Sequence, residues 1–242
     1  MLTDYIEMRT ANVYGIYGHL GGGKSLTAVE IMLHFLKLGH TVVSNIQLFH
    51  HPNPDHFKFV EDFSTVDWWK LPCGAPRGSS DPYRVAIVID ECAEFFDQYS
   101  GASYQVKQFL SWLRHSSKRG QFVFAIVQKP EFIAKPLRLL INRWIMCDDM
   151  EQFRLPFLRL KLPFLAQYVR RLMFDRYGNL ISRGTNFADK ALIGYYYNTA
   201  QSIALQGREN DYHQQTHQRP QPYGRLFLLL SIIYTLYLII YS

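Results

Sequence analysis

Gly18-His19-Leu20-Gly21-Gly22-Gly23-Lys24-Ser25 is the stretch that decides how this chain is read. It fits the phosphate-loop (Walker A) pattern G-x-x-x-x-G-K-[ST] at every fixed position. Glycines at 18, 21, 22 and 23 let the backbone wrap around a phosphate with its N–H groups pointing inward, where side chains would block the approach. Lys24 is the point charge for the β- and γ-phosphates, and the Ser25 hydroxyl is the expected Mg²⁺ ligand. Gly18, Gly21, Gly22, Gly23, Lys24, Ser25 and Leu26 are therefore the expected nucleotide-binding residues, with ATP and Mg²⁺ as the ligands.

Working outward, Val13-Tyr14-Gly15-Ile16-Tyr17 is a short apolar run that reads as a buried strand entering the loop. Residues 25–38 carry apolar side chains at three- and four-residue spacing, which predicts a helix stopped by Gly39. A second β-rich run, Thr41-Val42-Val43-Ser44-Asn45-Ile46, completes a strand, helix, strand unit of parallel-crossover size. Residues 50–82 are rich in Pro, Gly, Ser and Asp and read as a surface excursion, with one short helix around residues 66–71. Val85-Ala86-Ile87-Val88-Ile89 and Phe122-Val123-Phe124-Ala125-Ile126-Val127 are continuous apolar runs of the kind buried on both faces of a parallel sheet. A helix is expected over residues 104–117 between them, and a fifth strand over residues 143–147. The fold class is α/β, a parallel sheet with helices on both faces. Past Asp148 the alternation is less regular, although Asp175-Arg176-Tyr177-Gly178-Asn179 reads as a hairpin turn.

The strand over residues 85–89 ends in Asp90-Glu91, at the edge where such sheets bind ligands. Asp90 is the expected Mg²⁺-side carboxylate (Walker B) and Glu91 the general base for water, a pair that favours hydrolysis over transfer to a small acceptor. Two readings stay open for Gln128: a contact to the γ-phosphate or its water, or simply the start of a turn at Gln128-Lys129-Pro130. Arg114, close to Lys118 and Arg119, is either a catalytic arginine acting on a neighbouring subunit or a cation stabilising a helix C-terminus, and Arg143 is a further candidate.

The composition bounds the partners. At 242 residues, 48% hydrophobic and 19% charged, the chain holds one α/β core with appendages and is not a disordered chain. The net charge of +6 suits nucleic acid or an anionic membrane surface, but is also common without either. Cys73, Cys92 and Cys147 form neither a disulfide framework nor a zinc pattern, which fits a reducing compartment, and no signal-peptide run follows Met1. Residues 206–225 are polar and read as a linker. Residues 226–241 then form a charge-free run of about 24 Å as a helix, against ~30 Å for a bilayer core. With Arg219 and Arg225 before the run and no cation after it, the expectation is a single-pass helix over 226–242, with the domain of residues 1–205 on the cytoplasmic side.

These residues together resemble the N-terminal ATPase domain of the zonula occludens toxin family, which includes the assembly ATPase of filamentous phages. The likeness covers about residues 14–201. It rests on the phosphate loop, on Thr41-Val42-Val43-Ser44-Asn45-Ile46, on Val88-Ile89-Asp90-Glu91, on Arg114-His115 before Ile126-Val127-Gln128, and on Tyr197-Asn198-Thr199-Ala200-Gln201. The resemblance implies a RecA-like ATPase of the additional-strand type, related to the FtsK and HerA translocases. Such a protein would form a homo-oligomeric ring at the host (bacterial) inner membrane and drive extrusion of phage DNA while coat subunits are added. Its partners would be phage coat and assembly or pore proteins, and phage DNA directly or indirectly. Many members carry an extracytoplasmic domain after the membrane helix, which has no counterpart before Ser242. Two other classes compete: a genome-packaging ATPase of a tailless virus, and a ParA- or MinD-type regulatory ATPase. His19, where the latter class carries an early lysine, weighs against it.

Overall fold

A computed structural model describes residues 11–76, 79–97, 103–150, 168–181, 186–189 and 196–197. The strands are β1 (Val13–Tyr17), β2 (Thr41–Ser44), β3 (Phe57–Phe59), β4 (Val85–Ile89), β5 (Gln121–Val127), β6 (Arg143–Asp149), β7 (Tyr168–Asp175) and β8 (Asn186–Asp189). The helices are α1 (Lys24–Lys37), α2 (Cys92–Phe95), α3 (Tyr104–His115) and α4 (Lys135–Leu140). All eight strands belong to one sheet, in the order β3-β2-β4-β5-β1-β6-β7-β8. Pairing is parallel from β3 through β6. It turns antiparallel at β6–β7 and β7–β8, so the sheet is mixed and not purely parallel as expected.

Strand alternation sends one set of side chains to each face. Tyr14, Ile16, Val88, Phe124 and Ile145 pack under α1, against its Ala28, Ile31, Met32 and Phe35. Val13, Ile87, Val123 and Ala125 face the other way, against Cys92 of α2, Phe109 and Trp112 of α3 and Leu137 of α4. The sheet is thus covered by helices on both faces. Helix α1 stops as its sequence predicts: Gly39 takes φ 76°, its N–H donates to Leu36 O at 3.1 Å, and His40 N–H donates to Phe35 O at 3.0 Å. This paired 5→2 and 6→1 bonding satisfies two of the carbonyls left over at a helix end. Strand β2 is shorter than expected, because Ser44 Oγ accepts from Ile46 N–H at 3.0 Å and turns the chain out of the sheet.

The antiparallel extension is hidden in the sequence by one residue. Along β7 the side chains of Val169, Arg171 and Met173 are buried, and Arg171 breaks the apolar pattern. It is tolerated there because its Nη1 donates to Glu30 Oε2 of α1 at 2.6 Å. The expected turn after β7 is present: Asp175 Oδ1 accepts from Tyr177 N–H and Asn179 N–H, each at 2.8 Å, with Gly178 at φ 86°.

The excursion after β2 corrects a second expectation. It supplies a parallel edge strand, β3, and drives Phe63 and Trp68 fully into the face that α3 covers. Trp68 lies 4.6 Å from the Phe109 ring and 5.0 Å from the Trp112 ring. The short helix expected around residues 66–71 is a single 3₁₀ turn, Trp68–Lys70. The three cysteines are free. Among the described residues no helix is long and apolar enough to cross a membrane, and the expected linker and membrane helix (206–242) lie outside them.

Because Trp68 anchors the excursion to the core, Trp68→Ala should cost about 3–5 kcal/mol of stability, seen as a lower denaturant midpoint. Trp69→Ala should cost under about 1 kcal/mol in the same assay, since Trp69 is 47% exposed.

Candidate nucleotide-binding site

The loop between β1 and α1 is wedged against two strands that follow much later in the chain. A Cβ at Gly18 would run into the Cys147 carbonyl oxygen of β6, and one at Gly23 into the Val169 side chain of β7. At Gly22 a Cβ would come within 2.9 Å of His19 O, which already accepts from Gly22 N–H at 2.9 Å. Gly23 also takes φ 84° as it starts α1. The helix begins with no side-chain cap and no acid in its first turn, so its first N–H groups and its partial positive charge are left for an external anion. Lys24 is buried, and its Nζ donates to Gly18 O at 3.1 Å and His19 O at 3.0 Å, holding one full charge inside the loop.

Ser25 joins this loop to the acid pair: its Oγ donates to Asp90 Oδ2 at 3.1 Å. Asp90 is the first residue past β4, and its backbone is gripped by Asn45 at the end of β2. Asp90 N–H donates to Asn45 Oδ1 at 2.7 Å, and Asn45 Nδ2 donates to Asp90 O at 3.1 Å. Glu91 N–H donates to Asp90 Oδ1 at 3.0 Å. Burial pushes the Asp90 carboxyl above the usual carboxylate range, against the lowering effects of the Glu91 N–H, the Ser25 hydroxyl and Lys24. Glu91 is raised by burial and then by the Asp90 charge. It sits at φ 47°, ψ 46°, a left-handed conformation that costs a non-glycine residue about 1–3 kcal/mol.

Strand β5 runs between β1 and β4, so Gln128, one residue past its end, is exposed at the same sheet edge as the loop and the acids. Arg114 and Arg143 are not brought to the loop of their own chain. Helix α3 returns to the opposite edge, where β5 starts, and Arg143 opens β6 at that same edge. Among the described residues no cluster of three or more His, Cys, Asp or Glu side chains could hold a metal. The hydroxyl and carboxylate of Ser25 and Asp90 fit a hard cation that keeps water and phosphate as its remaining ligands. Cys147, with its thiol donating to Thr27 Oγ1 at 3.3 Å and pushed up to about 11 by burial, supports the loop and is unreactive. Asn45, Val169 and Arg171 escape motif reading, because each acts through its place in the sheet. The one local signal is an asparagine at the end of the strand beside β4.

Residues 12–160 match the profile of the zonular occludens toxin (Zot) family. The chain is similar to the Gene 1 protein of Escherichia phage If1, 26% identical over 157 residues, covering 60% of this chain and 44% of that protein. It is also similar to the Gene 1 protein of Enterobacteria phage I2-2, 25% identical over 153 residues, covering 60% of this chain and 42% of that protein. The chain thus spans less than half the length of these phage relatives. A solved structure, the N-terminal domain of zonular occludens toxin from Neisseria meningitidis, aligns with a TM-score of 0.48 at 16% identity, covering 78% of this chain and 99% of that chain.

The acid pair makes stability depend on pH. A carboxyl whose folded pKa is raised contributes stability that is complete below its unfolded pKa and is lost as pH rises through the folded value. Asp90→Asn removes that loss at Asp90 and can keep both neighbouring hydrogen bonds. Its stability relative to the parent chain should therefore increase as pH rises from about 4 to about 8, measured by paired denaturant melts.

Proposed function

The chain belongs to the zonular occludens toxin family, and from that premise we propose that it is a P-loop ATPase that powers filamentous-phage assembly and export of phage DNA through the host inner membrane. The observation that carries the catalytic part is the Ser25–Asp90 hydrogen bond, which supports reading the phosphate loop and the acid pair as one site. The placement of β5 between β1 and β4 supports the RecA-like, additional-strand class.

In this reading the uncapped N–H groups of α1 and the loop glycines hold the phosphates of ATP. Lys24 exchanges its two carbonyl partners for phosphate oxygens. Ser25 and Asp90 would hold Mg²⁺, which would supply charge neutralisation for the phosphates. Glu91, next to Asp90 at the end of β4, accepts the proton of the attacking water. Gln128 orients that water from the end of β5. Arg114 lies at the far edge of the sheet, so it serves catalysis only by reaching the site of a neighbouring copy in a ring. The charge-free run over residues 226–241 anchors the ATPase domain to the inner membrane as a single-pass helix, on the cytoplasmic side. Phage coat and pore proteins, and phage DNA directly or indirectly, are its partners.

Lys24→Ala should abolish ATP binding and hydrolysis. Glu91→Gln should retain ATP while turnover falls about 10²- to 10⁴-fold, read by phosphate release beside a nucleotide-binding titration. Full turnover in Glu91→Gln would remove Glu91 as the base. In infected cells the full chain should sediment with the inner membrane and be released only by detergent. Recovery of the intact chain in the soluble fraction overturns the anchor, and recovery inside released particles favours a packaging enzyme.

A further inference from the structure

Asp90 and Glu91 follow β4 at the point where β2, its neighbour, has already left the sheet. Backbone pairing between these strands runs from Thr41–Val85 to Ser44–Val88 and stops there. The Asn45 side chain continues the ladder in its place, accepting from Asp90 N–H at 2.7 Å and donating to Asp90 O at 3.1 Å. The peptide linking Asp90 to Glu91 therefore has both polar atoms engaged: its carbonyl by Asn45, and its N–H by Asp90 Oδ1 at 3.0 Å. That peptide sets the entry into Glu91, which is held at φ 47° without being a glycine. A strained conformation of this kind persists only where its surroundings over-determine it. Asn45 provides two of these hydrogen bonds, beside Glu91 N–H to Asp90 Oδ1 and Glu94 N–H, which donates to Glu91 O at 2.8 Å.

We propose that Asn45 is a positioning residue for hydrolysis, a side-chain clamp on the Asp90 backbone that keeps Glu91 in its left-handed turn and so aims the carboxylate. The inference rests on Glu91 being the base. With the clamp removed, the Asp90–Glu91 peptide rotates, Glu91 relaxes toward a right-handed or extended backbone, and its carboxylate leaves its place beside Asp90. Asn45 bonds the Asp90 backbone and not the carboxylate that accepts from Ser25, and among the described residues it makes no hydrogen bond to the phosphate loop or Lys24, so ATP binding stays.

The test is a double-mutant cycle on the full-length chain in detergent, with ATP turnover and ATP affinity measured for each variant. Asn45→Ala and the larger Asn45→Leu, which lacks hydrogen-bonding atoms, should each lower kcat about 10²-fold, with ATP affinity within about threefold of the parent. In the Glu91→Gln background, Asn45→Ala should lower single-turnover hydrolysis by less than about threefold, because Asn45 acts through Glu91. Unchanged kcat in Asn45→Ala overturns the proposal. So does an equal loss of turnover and affinity, an equal loss with and without Glu91, or failure of both variants to fold. Full turnover in Glu91→Gln alone points elsewhere: it removes the base assignment and identifies that reading, not the clamp, as the failed step.

Discussion

The loop from Gly18 to Ser25 fits its place only with glycine at positions 18 and 23, because other parts of the chain occupy the space a side chain would need. Gly18 rests against the carbonyl of Cys147, and Gly23 lies beneath the methyl groups of Val169. The loop is thus a cast taken between β1 behind it, β6 beside it and β7 above it. Close packing leaves no slack for even one added carbon at these positions. Helix α1 inherits its direction from this fit and is secured from outside by the pair of buried Arg171 and half-buried Glu30. Removing either partner of that pair would leave an uncompensated charge against the sheet, so α1 and β7 behave as one unit.

Across the sheet edge from that tight packing, the acid pair is held in an unfavourable state. Asp90 and Glu91 are side by side, raised in pKa by burial, and Glu91 carries a backbone strain of about 1–3 kcal/mol. Strand β4, buried along its whole length, supplies the packing that offsets these terms. Local conflict sustained by global packing is typical of functional sites, where sequence-level consistency gives way to chemistry.

How much was legible follows from how local each signal is. Strands β1 and β4 can be read to the residue, because each is a five-residue apolar run ended by a glycine or an acid. The loop, the acid pair and Gln128 follow from their positions after such strands. Strand β3, at three residues, is too short to show alternation, and α4, six residues with Pro136 near its start, is too short to show helical periodicity. In β7 the alternation is masked by Arg171, a cation that needs a partner 141 residues away to be tolerated inside. Asn45 was visible only as part of a strand. The fold places Arg114 far from the loop for a reason that topology alone supplies: a helix that leaves the binding edge after β4 must end at the other edge before β5.

The cover over Gly23 and the partner of Glu30 both come from β7, so the loop and its lid leave the ribosome far apart. When Ser25 is translated, the carbonyl, methyl groups and guanidinium that will shape its surroundings are still more than a hundred codons away. Synthesis at ~5–20 residues per second leaves α1 without this support for several seconds or longer. During that interval the chain lacks the guanidinium that pairs with Glu30 and the methyl groups that cover Gly23. Val169 and Arg171, which supply these contacts to α1, lie beyond the end of the stretch matched by the family profile. A fragment trimmed to residues 12–160 would therefore keep the phosphate-loop motif and the Cys147 carbonyl beside Gly18, and lose the Val169 cover over Gly23 and the Arg171 partner of Glu30.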